Sequence, residues 1–203
     1  MRTDAQRNRS AVLAAAASVF AEHGLDVSLN EIARRAEVGN ATLYRHFPTR
    51  EALVAEVFAN QLEHYLGVAE RAAAAEDPLV AFCECIAATC ELQRPNRALA
   101  DLLVSLHPVS PRVDELRDRH YEAISTVIER AVDAGVVWAD LRPADVAVLL
   151  MANAGLVRRT IDDAPGASAR MVAVWLAGAT RPDAQMGPPA PSEREVAQAL
   201  LRQ

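Results

Sequence analysis

The sequence predicts an all-α protein, in which a three-helix N-terminal head is followed by a six-helix body. Three observations carry this. Half of the 203 residues are hydrophobic, Ala above all, while aromatics make up only 4%. No run alternates at period two among β-branched residues, so strand signals are nearly absent. Apolar residues instead recur every three or four positions between Pro, Gly and capping residues, the pattern of amphipathic helices.

In the head, residues 3–23 form the first helix. Thr3 and Gln6 have capping-box spacing, and Val12, Leu13, Ala16, Val19 and Phe20 make a buried stripe. Gly24 ends it in the C-terminal position where glycine is favoured. Ser28 and Glu31 have capping-box spacing again, and Ile32, Ala33 and Ala36 give the second helix a small apolar face. Glu37, Val38 and Gly39 break the pattern, with Gly39 supplying the freedom a sharp turn needs. Residues 40–47 form the third helix, with Leu43 and Phe47 inward and Thr42, Tyr44, Arg45 and His46 outward. Pro48 stops it and Thr49 caps the next helix.

In the body, residues 51–75 read as one long helix that bridges from the head. Asp77 and Pro78 open a helix running to about 94, with Leu79, Phe82, Cys83, Ile86 and Cys90 inward. Pro95 and Asn96 break it, and 97–106 is a short helix. Ser110 and Pro111 start a long helix to 134, closed by Gly135, with His120 on its apolar stripe. Arg142 and Pro143 open the next, through about 161, and 167–180 is the last core helix. A Pro-rich stretch over 181–191 is a loose linker, and Ser192 with Glu195 caps a short terminal helix. The expected divisions are 1–48, the three-helix head; 49–181, the body; and 182–203, a linker and tail.

Two short helices around a turn, the second covered in hydrogen-bonding side chains, is the layout of a helix-turn-helix DNA reader. At the N-terminal part of such a helix Asn40 suits adenine, Ala41 a thymine methyl, and Thr42 either a base or a phosphate. Tyr44 and His46 suit phosphate oxygens, Arg45 a guanine edge or a phosphate, and Arg50 a phosphate. Arg2, Arg7 and Arg9 lie at the open end of the first helix. The string ATLYRHFPTREAL, with the helix before it, resembles the recognition segment of the TetR family of bacterial transcriptional regulators, over roughly 8–58. The resemblance implies backbone contacts from Tyr44, His46 and Arg50, base or phosphate contacts from Asn40, Ala41 and Thr42, and a phosphate contact near Ser28. It departs from the family at Glu37, where Gly is usual, at Gly39, where a Ser-like cap is common, and at Leu29, where a polar residue is common.

The resemblance also implies a homodimer whose body binds an unknown small-molecule effector, most often a repressor released from a palindromic double-stranded DNA operator. On the 143–161 helix, Val148, Met151, Ala152, Gly155 and Arg159 form a face with a small centre. With Met171, Trp175 and Gly178 it is the expected dimer interface, built as a four-helix bundle. His107, His120, Tyr121, Ile124, Leu150 and Asn153 are the candidate effector contacts, because a mostly apolar cavity with a few polar groups is what a ligand site needs.

The net charge of −6 is unevenly spread: seven Arg face five acids in residues 1–50, against fourteen and twenty-two in the rest. All 21 basic residues are Arg. This permits a DNA-binding head on an acidic body. Cys83, Cys85 and Cys90 are too far apart around and along a helix for a tetrahedral metal site, so no metal or cofactor is expected. A Gly-rich phosphate loop, a nucleophile elbow and a His pair at i, i+4 are lacking, so no catalytic residue is assigned. A helical dimeric enzyme, or a structural dimer without DNA binding, is the alternative. The polar N-terminus and the short apolar runs predict a cytoplasmic protein without a membrane span.

Overall fold

The computed structural model describes residues 2–94, 99, 102, 109–183 and 187–200, and no strand occurs among them. The helices are α1 (Arg2–His23), α2 (Leu29–Arg35), α3 (Asn40–His46), α4 (Arg50–Ala74), α5 (Pro78–Leu92), α6 (Pro111–Asp133), α7 (Pro143–Thr160), α8 (Ala167–Ala179) and α9 (Glu193–Leu200). Of the short helix expected over 97–106, only Leu99 and Leu102 are among the described residues, both buried.

The ends of these helices follow from local chemistry. Ser28 Oγ accepts from Glu31 N–H at 3.2 Å, Thr49 Oγ1 from Ala52 N–H at 3.1 Å, and Asp77 Oδ1 from Leu79 and Val80 N–H at 2.9 and 3.0 Å. Each satisfies a donor that the first helical turn leaves open. Glu31 does not reach back to close the box at Ser28; it accepts from Arg34 Nε at 2.9 Å instead. Around α9 the box closes, with Glu195 Oε2 accepting from Ser192 N–H at 2.8 Å and Ser192 Oγ from Glu195 N–H at 3.3 Å.

The turn between α2 and α3 differs from the sequence expectation. Gly39 has φ −71° and ψ 148°, extended backbone open to any residue, and gives α3 no side-chain cap. The left-handed residue is Glu37, at φ 55°. The sharp bend therefore falls two residues early, on a side chain whose Cβ disfavours it.

The apolar side chains gather into two clusters. One joins Val12, Val19 and Phe20 of α1, Ile32 of α2, Leu43 of α3 and Leu53, Phe58, Leu62 and Leu66 of α4 with Leu99, Leu102 and α6 residues Val113 and Leu116. The other holds Ala69 and Ala72 of α4, Phe82 and Ile86 of α5, Ile124 and Ile128 of α6, Leu149 and Leu150 of α7, and Val172 of α8. The division lies within α4, between Leu66 and Ala69.

α4 and α6 make the most extensive helix pair among the described elements. Arg112 pairs with Glu63 and Arg119 with Glu70, the latter at 2.6 Å. Both pairs advance seven residues along both helices, so the two run parallel with heptad spacing. At the far end Arg130 donates to the carbonyls of Ala73 at 2.6 Å and Ala75 at 2.5 Å, closing the C-terminus of α4. The stripe of α5 is rotated from the expected one: Cys85 and Thr89 are buried, Leu79 is 37% exposed and Cys83 half-buried.

Glu37→Gly relieves the left-handed strain, and Gly39→Ser adds a cap where a Cβ meets no atom within 4 Å. Each substitution is expected to raise stability by about 0.5–1 kcal/mol, read as a shift in the denaturant midpoint.

Candidate nucleic-acid interface and effector site

α3 turns Leu43 and Phe47 fully into the head, with Phe47 3% exposed. Helical periodicity then fixes the other face: Asn40, Ala41, Tyr44 and Arg45 are exposed and Thr42 is half-buried. Tyr44, 47% exposed, is the large ring of this surface. Arg45 makes no ion pair among the described residues. His46 is half-buried beside Phe47, with Nε2 shut off from solvent and unpartnered among the described residues. Ser28 is exposed at the start of α2, its hydroxyl engaged in the cap.

Two arginines are committed to the head itself. Arg50 donates to Val27 carbonyl oxygen at 2.5 Å and lies 6.0 Å from the Phe20 ring centre. It therefore ties the loop before α2 to the start of α4, and its charge is only partly open to a phosphate. Arg9 pairs with Glu56 at 2.7 Å and sits 5.4 Å over the Phe47 ring, joining α1, α3 and α4.

In the body the expected effector residues separate. His107 lies outside the described residues. Tyr121 is 48% exposed, on the outside of α6, and lines no interior. Asn153 is fully buried and already saturated: its Nδ2 donates to Cys90 carbonyl oxygen at 3.1 Å and Gln93 Oε1 at 2.7 Å, and its Oδ1 accepts from Ser168 Oγ at 2.7 Å. Gln93 Nε2 donates to Leu150 carbonyl oxygen at 3.3 Å. This closed network joins α5, α7 and α8, so Asn153 is a structural tie and has no amide hydrogen to spare for a ligand. Leu150 and Ile124 are buried in the body cluster.

His120 is different. Its ring stacks on Tyr65 of α4, centroids 3.9 Å apart and planes 22° apart, and its Nε2 is buried without a partner among the described residues. Burial drives its pKa down to about 3, so the imidazole is neutral. The phenol of Tyr65 is pushed well up, first by burial and then by the Cys90 and Cys85 thiols. Those thiols are themselves raised by burial, to about 12 and about 11, and stay protonated.

A separate groove of about 400 Å³ runs between α5 and α8, lined by Ala87, Ala88, Glu91, Ala169, Ala173 and Leu176 among others. None of the described effector residues chosen from the sequence is among those lining it.

On α7, Val148 is 42% exposed, Ala152 and Arg159 are exposed, and Met151 and Gly155 are half-buried. On α8 the expected residues Met171, Trp175 and Gly178 are half-buried. Trp175 packs against Phe82 at 6.2 Å, Met171 lies against the body cluster, and a Cβ added to Gly178 would lie 3.8 Å from the Trp138 ring. The bare apolar stripe is Ala173, Val174 and Ala177, with Val174 57% exposed.

Comparison with known proteins settles the family. Residues 12–57 match the profile described as "Bacterial regulatory proteins, tetR family", and residues 74–181 match the "Transcriptional regulator SbtR-like, C-terminal domain". The chain belongs to the TetR family. It is similar to an HTH-type transcriptional regulator of Staphylococcus aureus (strain USA300), 36% identical over 67 residues, which are 32% of this chain and 36% of that protein. The match thus spans about a third of that relative's length. A TetR transcription regulatory protein from Mycobacterium vanbaalenii is 32% identical over 88% of this chain and 98% of its own, with a TM-score of 0.50. The TetR family regulator PfmR from Thermus thermophilus shares the fold at 23% identity, TM-score 0.62, over 86% of this chain and 99% of its own. The family is one of DNA-binding transcriptional regulators and not of enzymes.

In this TetR chain, sequence reading missed Tyr65 as the partner of His120, and Gln93 and Ser168 as the partners of Asn153. Each pair is tens of residues apart except Asn153 and Ser168, and nothing local signals it. No described helix is long and apolar enough to cross a membrane.

His120 gives an acid dependence of stability. Its folded pKa, about 3, lies below the ordinary 6.5. The unfolded chain therefore binds the proton first. The contribution is complete above pH 6.5 and is lost as pH falls towards 3, by up to about 1.4 kcal/mol per unit. Denaturant midpoints of the wild type and His120→Phe across this range test it: the variant is expected to lose less stability on acidification.

Proposed function

We propose that this chain is a ligand-responsive transcriptional regulator that binds a palindromic operator as a homodimer, acts in the cytoplasm as a repressor and is released by a small-molecule effector. The observation that carries the reading is the divided third helix. Leu43 and Phe47 are buried in the head, while Asn40, Ala41, Tyr44 and Arg45 stand exposed on one short helix. The end of α3 nearest the turn offers Asn40, Ala41 and Thr42 to base edges, and Tyr44, Arg45 and His46 hold the phosphates. Ser28 and Arg50 flank that surface; Arg50 acts first by fixing the Val27 loop and secondarily through its charge.

The body supports the remaining steps. The outer face of α7, at Val148, Ala152 and Gly155, with Ala173, Val174 and Ala177 of α8, pairs the subunits. Two heads so held engage half-sites about one helical turn apart, ~34–36 Å. Because α4 runs from the head into the body, an effector that prefers a different setting of α4 against α6 shifts the dimer to a head spacing that no longer fits.

Two tests follow from the geometry. Tyr44→Phe and Arg45→Ala are expected to weaken duplex binding about 3- to 10-fold and about 10-fold or more, respectively, in fluorescence anisotropy. Phosphate contact at Arg45 also lowers the salt slope by about 1, whereas a change in sequence preference would assign it to a base. Gly155→Trp, at a position where an added Cβ meets no atom within 4 Å of its own chain, is expected to keep the fold and give a sedimentation mass of one subunit. An unchanged dimer mass would move the interface elsewhere.

A further inference from the structure

α3 is held to the head at few points. It is seven residues long, too short to keep its shape without packing. Gly39 gives its N-terminus no side-chain cap. Leu43 is its one buried residue, and Phe47, which closes it, is the second anchor. The Phe47 amide donates to the Leu43 carbonyl oxygen at 2.8 Å, and the backbone there leaves helical angles, with φ −132° and ψ 89°. Leu43 and Phe47 are four residues apart and face the same way, so their seating sets how the opposite face of α3 is presented. The Phe47 ring belongs to the head cluster, and the Arg9 guanidinium lies 5.4 Å over it. The same guanidinium donates to Glu56 Oε1 of α4 at 2.7 Å. One planar cation on α1 thus bridges α3 and α4. Both side chains of the ion pair are nearly half exposed, so the pair by itself stabilises little. What it adds is direction: Glu56 aims the guanidinium, and the guanidinium covers the ring that ends α3.

We propose that Arg9 is a positioning residue for DNA reading: through Phe47 it sets the angle at which α3 presents Asn40, Ala41 and Thr42 to base edges, and it is not a phosphate ligand. The inference rests on α3 being the reading helix, as proposed above. An arginine near the open end of α1 is placed to meet the DNA backbone, but the charge of Arg9 is already shared between a carboxylate and a ring. The two roles leave different marks on binding. A phosphate ligand contributes to every duplex alike, so its loss weakens all of them and lowers the salt slope by about 1. A positioning residue counts where base edges are read, because backbone contacts carry no sequence information and do not need the reading face in register. Loss of Arg9 therefore lowers the preference for the right sequence and leaves the salt dependence as it was. Lysine in its place keeps a cation for the ring and for Glu56, without the planar fork.

The test compares full-length wild type, Arg9→Gln, Arg9→Lys and Arg119→Gln. The last removes an equally exposed ion pair, with Glu70, from the body and serves as the control for lost stability. Two DNA probes are used over a range of salt: the duplex that the wild type selects from a random pool, and the unselected pool. Hydrogen exchange without DNA is measured alongside. Arg9→Gln is expected to weaken the selected duplex about 3- to 10-fold, with pool affinity and salt slope at their wild-type values. Arg9→Lys is expected to recover most of that loss, and Arg119→Gln to bind both probes as the wild type does. The Phe47 amide is expected to exchange faster in Arg9→Gln and not in Arg119→Gln. The proposal is overturned if Arg9→Gln weakens both probes alike and lowers the salt slope, which makes Arg9 a phosphate ligand. It is overturned equally if Arg9→Gln binds and exchanges like the wild type, or if Arg119→Gln matches it. Exchange keeps the readings apart: a chain that shows the exchange pattern and selects no duplex refutes the reading helix and leaves the Arg9 clamp on Phe47. One that selects a duplex which Arg9→Gln binds equally well refutes the positioning role alone.

Discussion

The structure depends on one helix being shared by two cores. The first half of α4 completes the head, where Phe58 packs against Phe20 at 6.0 Å, and the second half enters the body. Its 25 residues span about 37 Å as a single stiff element. The head is therefore fixed to a lever, and its orientation follows from how α4 lies on α6. The exposed ion pairs along that contact are each worth little, about 0–1 kcal/mol. Their heptad repeat sets the register, while the buried Leu62, Leu66 and Ala69 and the Tyr65–His120 stack hold it.

The interior of the body is polar in places. Asn153, Gln93 and Ser168 form a closed set that fastens α5, α7 and α8 into a fixed frame. His120 Nε2 and Thr89 Oγ1 are buried without a partner among the described residues, and His120 stacks on Tyr65 of α4.

Much of this was legible in the sequence where the signal is local. The caps at Ser28, Thr49, Asp77 and Ser110, the glycines after α1 and α6, and the inward pair Leu43 and Phe47 follow from spacing alone, and they place the reading face of α3. Legibility ended where a helix is apolar nearly all round. α8, ASARMVAVWLAGA, offers no polar stripe to orient it, so the half-buried Met171, Trp175 and Gly178 could not be told from the exposed Ala173, Val174 and Ala177. α5 was rotated for the same reason. At the turn, the presence of a glycine pointed to Gly39, but neighbouring geometry put the left-handed angle on Glu37. Arg50 looked free because its acceptor, Val27 carbonyl oxygen, is a backbone group far back in the chain.

The central claim is that two such heads, each held by its α4, read DNA together. Selection of bound duplexes from a random pool tests it most directly. The account predicts enrichment of a palindrome whose half-sites are centred about one helical turn apart, ~34–36 Å. No enrichment, or enrichment of a single unrepeated half-site, would contradict it.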